Sequence, residues 1–129
     1  MKIKLKYTLT KLENAYAKLR EGADTAKNEL EKDGVIQRFE FCFELLWKTL
    51  KIFLRDTGIE VKTPKESLKE AFRVGWLKEE KIFLDMLEDR NMTSHIYDKE
   101  TSEEIFCRIK NNYLPGIKDI LEELKQSEK

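Results

Sequence analysis

VIQRFEFCFELLWKTLKIFLRD, residues 35–56, decides the fold class of this chain. Ile36, Phe39, Phe43, Leu46, Leu50 and Phe53 recur every three or four residues, the period of an α-helix with one apolar face. Gln37, Glu40, Glu44, Lys48, Lys51 and Arg55 form a polar stripe beside them, with Glu44 and Lys48 correctly ordered as an i,i+4 pair. Phe41, Leu45 and Ile52 add apolar surface outside the main stripe. So wide an apolar surface belongs to a helix at the centre of a bundle, or to one that faces a second subunit.

Working outward, the spacing predicts this helix over Ala26–Asp56, with Asp24 or Thr25 as its cap. It predicts a preceding helix over Lys4–Glu21, with Tyr7, Leu9, Leu12, Tyr16 and Leu19 inward and Gly22 as its end or interruption. Thr57-Gly58-Ile59 reads as a stop, with Gly58 left-handed and Ile59 folded back. Thr63-Pro64-Lys65-Glu66 reads as a start, with Thr63 the N-cap, Pro64 the first helical residue and Glu66 closing a capping box. That short helix ends at Gly75, with Trp76 in the fold-back position. A fourth helix begins near Leu77, with Ile82, Phe83, Met86 and Leu87 inward. TSEE, residues 101–104, reads as a capping box opening a helix with Ile105, Phe106, Ile109 and Tyr113 inward, and Pro115-Gly116 as a kink. No segment has the alternating period of a strand. The expected architecture is all-α: a single domain, residues 1–129, folded as an up-and-down four-helix bundle with an extra short helix.

Composition bounds the function. Apolar residues are 40% and charged residues 39% of the 129, enough to bury a core without cross-links. Twenty-five basic residues balance 25 acidic ones, so any polyanion must be bound by a local patch rather than by net charge. One such patch is Lys62, Lys65, Lys69 and Arg73, which reads as an RNA-binding stripe or, more plainly, as a solvated helix face. No apolar run suits a signal peptide or a membrane span, so a cytoplasmic protein is expected. Cys42 and Cys107 lie apart inside apolar patterns and read as buried, reduced thiols. One histidine and two distant cysteines do not supply a metal set, and there is no phosphate-binding glycine loop.

The chemistry that remains lies in RNMTSHIYD, residues 90–98, which holds the only histidine. Ser94, His95 and Asp98 are too close in sequence to converge as a hydrolytic triad. The plain reading is a polar helix end. Thr93, Ser94 and Asp98 then act as caps, Arg90 pairs with Asp85 or Glu88, and His95 sits near the negative end of the dipole. The functional reading is cleavage of RNA. Attack of a 2′-hydroxyl on its own phosphodiester needs a base, an acid and donors for the charged transition state. Imidazole serves as base or acid near neutrality. On one straight helix, however, Arg90 and His95 point about 140° apart. They act together only if the helix breaks between them or if two subunits share one cleft, and the second option predicts a dimer.

Arg90-x4-His95-x-Tyr97, with Asn91 beside the arginine, resembles the motif of the HEPN superfamily. More narrowly, the chain resembles the branch of nucleotidyltransferase substrate-binding proteins and HepT-type toxins. Residues 35–51, 63–75 and 83–98 carry the likeness in family order, which covers about residues 30–113. The resemblance implies a homodimeric helical bundle that pairs with a minimal nucleotidyltransferase. It implies a metal-independent endoribonuclease in which Arg90 stabilises phosphate charge, His95 is the acid/base, and Asn91 orients the phosphate or the imidazole. It also implies silencing by transfer of AMP to Tyr97, with ATP and magnesium belonging to the partner and no cofactor to this chain. The alternative within the branch is a non-catalytic, substrate-binding subunit of a two-component transferase.

Overall fold

The computed structural model describes residues 2–93 and 98–127. His95 and Tyr97, with Ser94 and Ile96, lie outside the described residues. The elements are α1 (Ile3–Thr25), α2 (Glu29–Asp56), α3 (Pro64–Arg73), α4 (Glu80–Met92), α5 (Lys99–Arg108), a π-helical turn (Ile109–Tyr113) and α6 (Leu114–Ser127). Among the described residues there is no strand, so the all-helical expectation holds.

The cross-links between helices fix the topology. Lys2 at the start of α1 pairs with Asp56 at the end of α2, and Arg38 reaches the Lys18 carbonyl at 2.7 Å, so α1 and α2 are antiparallel. Asp33 and Ser102 meet near the starts of α2 and α5 at 2.9 Å, so these run together. Arg108 meets Asp89 while Gly116 faces Ile82, Phe83 and Met86, so α4 runs against α5 and α6. The chain is therefore an up-and-down bundle, with α3 the short extra helix.

The predicted apolar stripe of α2 is the centre of the core. Phe39, Phe43, Leu46 and Leu50 are wholly buried, and Phe39 stacks on Tyr113 at 5.4 Å between ring centres. Leu45 and Ile52 pack against the core from its edge, whereas Phe41 stays exposed. On α1 the buried face is Leu5, Leu9, Leu12, Ala15 and Leu19. Tyr7, expected inward, is exposed: it stands two residues from both Leu5 and Leu9, on the far side of the helix.

Several boundaries differ from expectation. Gly22 does not end α1. A Cβ there would lie 3.0 Å from Arg38 and 3.2 Å from Val35, so the glycine serves the close approach of α1 to α2. Neither Asp24 nor Thr25 caps α2. The cap is Asn28, whose side chain accepts from the Glu31 amide at 2.8 Å while the Glu31 carboxylate accepts from the Asn28 amide at 3.3 Å. Gly58 and Gly75 have φ of 95° and 90°, and the amides of Ile59 and Trp76 fold back to Leu54 and Ala71, as the stop signals predicted. Thr63 caps α3 through the Glu66 amide. The reciprocal half of the box is replaced by a Thr63 hydroxyl donating to the Glu66 carboxylate at 3.3 Å.

α4 starts at Glu80 rather than near Leu77, which is instead a buried residue of the link. TSEE is not the start of α5: Asp98 is the cap, accepting from the Thr101 amide at 2.7 Å, and its hydrogen bonds with Thr101 hold its carboxyl below the usual range. Pro115 sits at the junction of the π turn and α6. It lacks an N–H and crowds the carbonyl four residues back, and the ladder widens into the π turn just before it.

Cys42 is buried and its thiol is pushed up to about 12 by burial, but Cys107 is exposed, contrary to the expectation for both. It follows Phe106 on the side of α5 turned from the core. Under native conditions a thiol reagent is expected to modify Cys107 quickly and Cys42 only on unfolding. Two fast-reacting thiols, counted by mass, would contradict this packing.

Candidate functional site at the end of α4

The last turn of α4 carries the first half of the motif. Phe83 and Met86 set the buried phase of this helix, and the next inward position falls at Asp89 and Arg90. Asp89 is only 6% exposed. Arg108 of α5 grips it with two hydrogen bonds, Nε to Oδ2 at 2.8 Å and Nη2 to Oδ1 at 2.9 Å. The buried Tyr113 hydroxyl also donates to it. Burial, then the hydrogen bond to Asp89, pushes the Tyr113 phenol well above its usual range, and the same carboxylate holds the Arg108 guanidinium higher still. Tyr113 therefore remains a neutral donor.

Arg90 turns the other way, toward α2. Its Nη2 donates to Oε1 of Glu44, not to Asp85 or Glu88 of its own helix. Asp85 is taken by Lys81 at 2.8 Å. Glu44 is itself held through its second oxygen by the Trp47 indole at 3.2 Å and by Lys48 at 3.8 Å. The predicted Glu44–Lys48 pair thus exists within a larger cluster. Asn91 is exposed beside Arg90, and the Thr93 hydroxyl closes the helix by donating to the Arg90 carbonyl at 2.7 Å. A cleft of about 200 Å³ opens next to Thr93, lined by Asp33, Ile36, Gln37, Glu40 and Ser102.

Two helix ends thus bracket the rest of the motif: α4 stops at Met92 and α5 starts at Lys99. The straight-helix premise that separated Arg90 from His95 fails, because the helix ends between them. The sequence reading of Arg90 and Asn91 places them together at this end, while His95 and Tyr97 lie outside the described residues. The predicted basic stripe is elsewhere. Lys62 precedes α3, and Lys65, Lys69 and Arg73 lie along it. Lys69 stands 3.9 Å from Glu80 and Arg73 2.6 Å from Glu70, so two of its four charges have carboxylate partners.

Sequence reasoning missed Asp89, Arg108 and Tyr113 as a unit, and Glu44 as the partner of Arg90. A signal for the first was present. A carboxylate in the buried phase of a helix, three residues after Met86, must find a cation or donors. Among the described residues no cluster of histidine, cysteine, aspartate and glutamate is arranged to hold a metal ion, and no helix is long and apolar enough to cross a membrane.

Fold and site together define an up-and-down helical bundle whose polar motif straddles the junction of two helices. The chain belongs to the family described as nucleotidyltransferase substrate binding protein like, which it matches over residues 6–126. It is similar to a Haemophilus influenzae protein named "Probable ribonuclease HepT", with 33% identity over 98 residues. That stretch is 72% of this chain and 66% of the relative, so the chain spans just under two thirds of the relative's length. The crystal structure of a Thermus thermophilus protein superposes with a TM-score of 0.83 at 36% identity, covering 88% of this chain and 98% of that one. A Haemophilus influenzae structure, described as the fold of a substrate binding domain of a nucleotidyltransferase, superposes with a TM-score of 0.69 at 28% identity, covering 95% and 97%.

Proposed function

We propose that this chain is a HepT-like toxin, a metal-independent endoribonuclease neutralised by a partner minimal nucleotidyltransferase. The observation that carries the reading is the likeness to the ribonuclease relative in a chain that presents Arg90-x4-His95-x-Tyr97. Arg90 and Asn91 at the end of α4 support it, because they stand together with an arginine that is tethered rather than loose. In this reading His95 takes the proton of a 2′-hydroxyl as its oxygen attacks the adjacent phosphorus. The bond to the 5′-oxygen breaks, that oxygen is protonated, and a cyclic phosphate end remains. Arg90 stabilises the charge that builds on the phosphate oxygens, and Asn91 orients them. Lys62 and Lys65, which among the described residues lack the close carboxylates of Lys69 and Arg73, are the members of the basic stripe best placed to meet RNA.

The proposal includes a homodimer, in which two copies of His95 serve as base and acid. The exposed stripe of Leu30, Gln37 and Phe41 on one side of α2 supports it as a face for a second copy. It also includes transfer of AMP from ATP to Tyr97 by the partner, using the partner's magnesium. The added bulk and negative charge two residues from His95 would repel an RNA phosphate.

A second reading, the non-catalytic substrate-binding subunit of a two-component transferase, is favoured by one observation. Among the described residues, the cleft beside Thr93 carries Asp33 and Glu40 and no cation, a poor lining for a polyanion. Intact mass after co-expression with the family's nucleotidyltransferase separates the two. An AMP-sized gain that disappears in Tyr97→Phe is expected, and native mass should give a dimer of this chain. A stable complex with no gain, from a protein that leaves RNA intact at any concentration, would favour the binding subunit.

A further inference from the structure

Arg90 and Glu44 are 46 residues apart in sequence, on different helices, and meet by their charged ends. The arginine's Nε is buried with no hydrogen-bond partner among the described residues, so the inner edge of the guanidinium faces protein and is closed to solvent. Nη2 is taken by Glu44. Nη1 is the terminal nitrogen left without a partner among the described residues. Glu44, for its part, cannot easily swing away. Its other oxygen accepts from the indole of Trp47, one turn along the same helix, and lies near Lys48. A carboxylate with three donors around it is a fixed post rather than a loose counter-ion.

We propose that Glu44 is the positioning residue of this site: from α2 it holds the Arg90 guanidinium in one orientation, with its Nη1 end presented to the scissile phosphate. The inference rests on the ribonuclease reading above and adds to it a residue outside the motif. A free arginine side chain samples many rotamers and loses that freedom when it binds a phosphate. One already held by Glu44 meets the phosphate with less left to lose, which favours the transition state over a loosely held ground state. Glu44 also occupies only one end of the fork, so both partners can be held at once. Asp89, clamped to Arg108 and Tyr113, steadies the helix turn on which Arg90 stands.

The test is a double-mutant cycle with a spectroscopic arm. Glu44→Gln keeps the shape and the acceptor oxygen but loses the charge. It is expected to lower the single-turnover cleavage rate about tenfold while the RNA dissociation constant changes less than about threefold. In an Arg90→Ala background the same change should have no further effect, because Glu44 acts through Arg90. Multiplicative losses, or a faster Glu44→Gln enzyme, would overturn the proposal; the second result would mean that Glu44 obstructs Arg90. Thermal melts of each variant keep folding separate from positioning.

The spectroscopic arm does not depend on cleavage. In the wild type the Arg90 side chain should show slowed guanidinium rotation by nitrogen-15 NMR, restored to fast averaging in Glu44→Gln. Fast averaging in the wild type sinks the positioning role whatever the activity. Slow rotation in a protein that cleaves no RNA sinks the ribonuclease reading and leaves the tether standing.

Discussion

Arg90→Ala is expected to cleave RNA about 10²–10³-fold more slowly than the wild type, the loss typical when one donor to a developing oxyanion is removed. In cells, the variant should relieve the growth arrest that the wild type causes when expressed without its nucleotidyltransferase. Arg90→Lys should restore little. An ammonium cannot keep one nitrogen on Glu44 while a second, fixed in the same plane, faces the phosphate. The stability of Arg90→Ala should change little, because the Glu44 pair is part-exposed on both sides and such pairs contribute about 1 kcal/mol or less. This combination, a large catalytic loss with an almost unchanged melt, separates a role in chemistry from one in folding. A wild type that neither arrests growth nor degrades RNA would end the ribonuclease reading. An Arg90→Ala protein that cleaves at the wild-type rate would remove Arg90 from the mechanism.

The second large effect is on stability. Asp89→Ala should destabilise the fold by about 3 kcal/mol, within the range for breaking a buried charge pair and stranding its donors. For a chain of this size that is a fall of about 10 °C in melting temperature. The Tyr113 hydroxyl, on a residue only 1% exposed, is left with no acceptor, while Arg108 is open enough to turn toward water. Most of the loss therefore comes from the tyrosine and from the α4 end losing its anchor. Tyr113→Phe removes a single hydrogen bond and should cost about 1 kcal/mol. In the Tyr113→Phe background the Asp89→Ala change should cost less than it does alone, since the stranded hydroxyl is gone. A melting temperature for Asp89→Ala within about 3 °C of the wild type, measured by calorimetry, would show that the network does not hold this junction.

Much of the fold was legible because its causes are local. Apolar residues at helical spacing mark the buried face of α2, and Phe39, Phe43, Leu46 and Leu50 lie where that spacing puts them. The stops at Gly58 and Gly75 were legible because a left-handed residue after the last helical turn is a property of one glycine. Tyr7 and Cys107 were misread for the opposite reason. Each is apolar enough to extend a stripe, and only the placement of a neighbouring helix decides whether that side is covered. Gly22 was read as an interruption because glycine is a poor helix former. Its use, letting α1 approach Arg38 and Val35, exists only once α2 is beside it.

The site divides along the same line. The sequence alone determined which residue types gather at 90–98, and their order with the surrounding blocks was enough to point to the family. It could not say that Arg90 leans on Glu44 or that Asp89 joins Arg108 and Tyr113. Those partners lie on other helices, and the choice among the chain's 25 basic and 25 acidic residues depends on how the helices are rotated against one another. The end of α4 was legible in part without a glycine or proline: Thr93 and Asp98, both read as caps, close α4 and begin α5. Local spacing determined the helices and the motif. Packing decided the phase of each helix about its own axis, and with it the partners of every charge at the site.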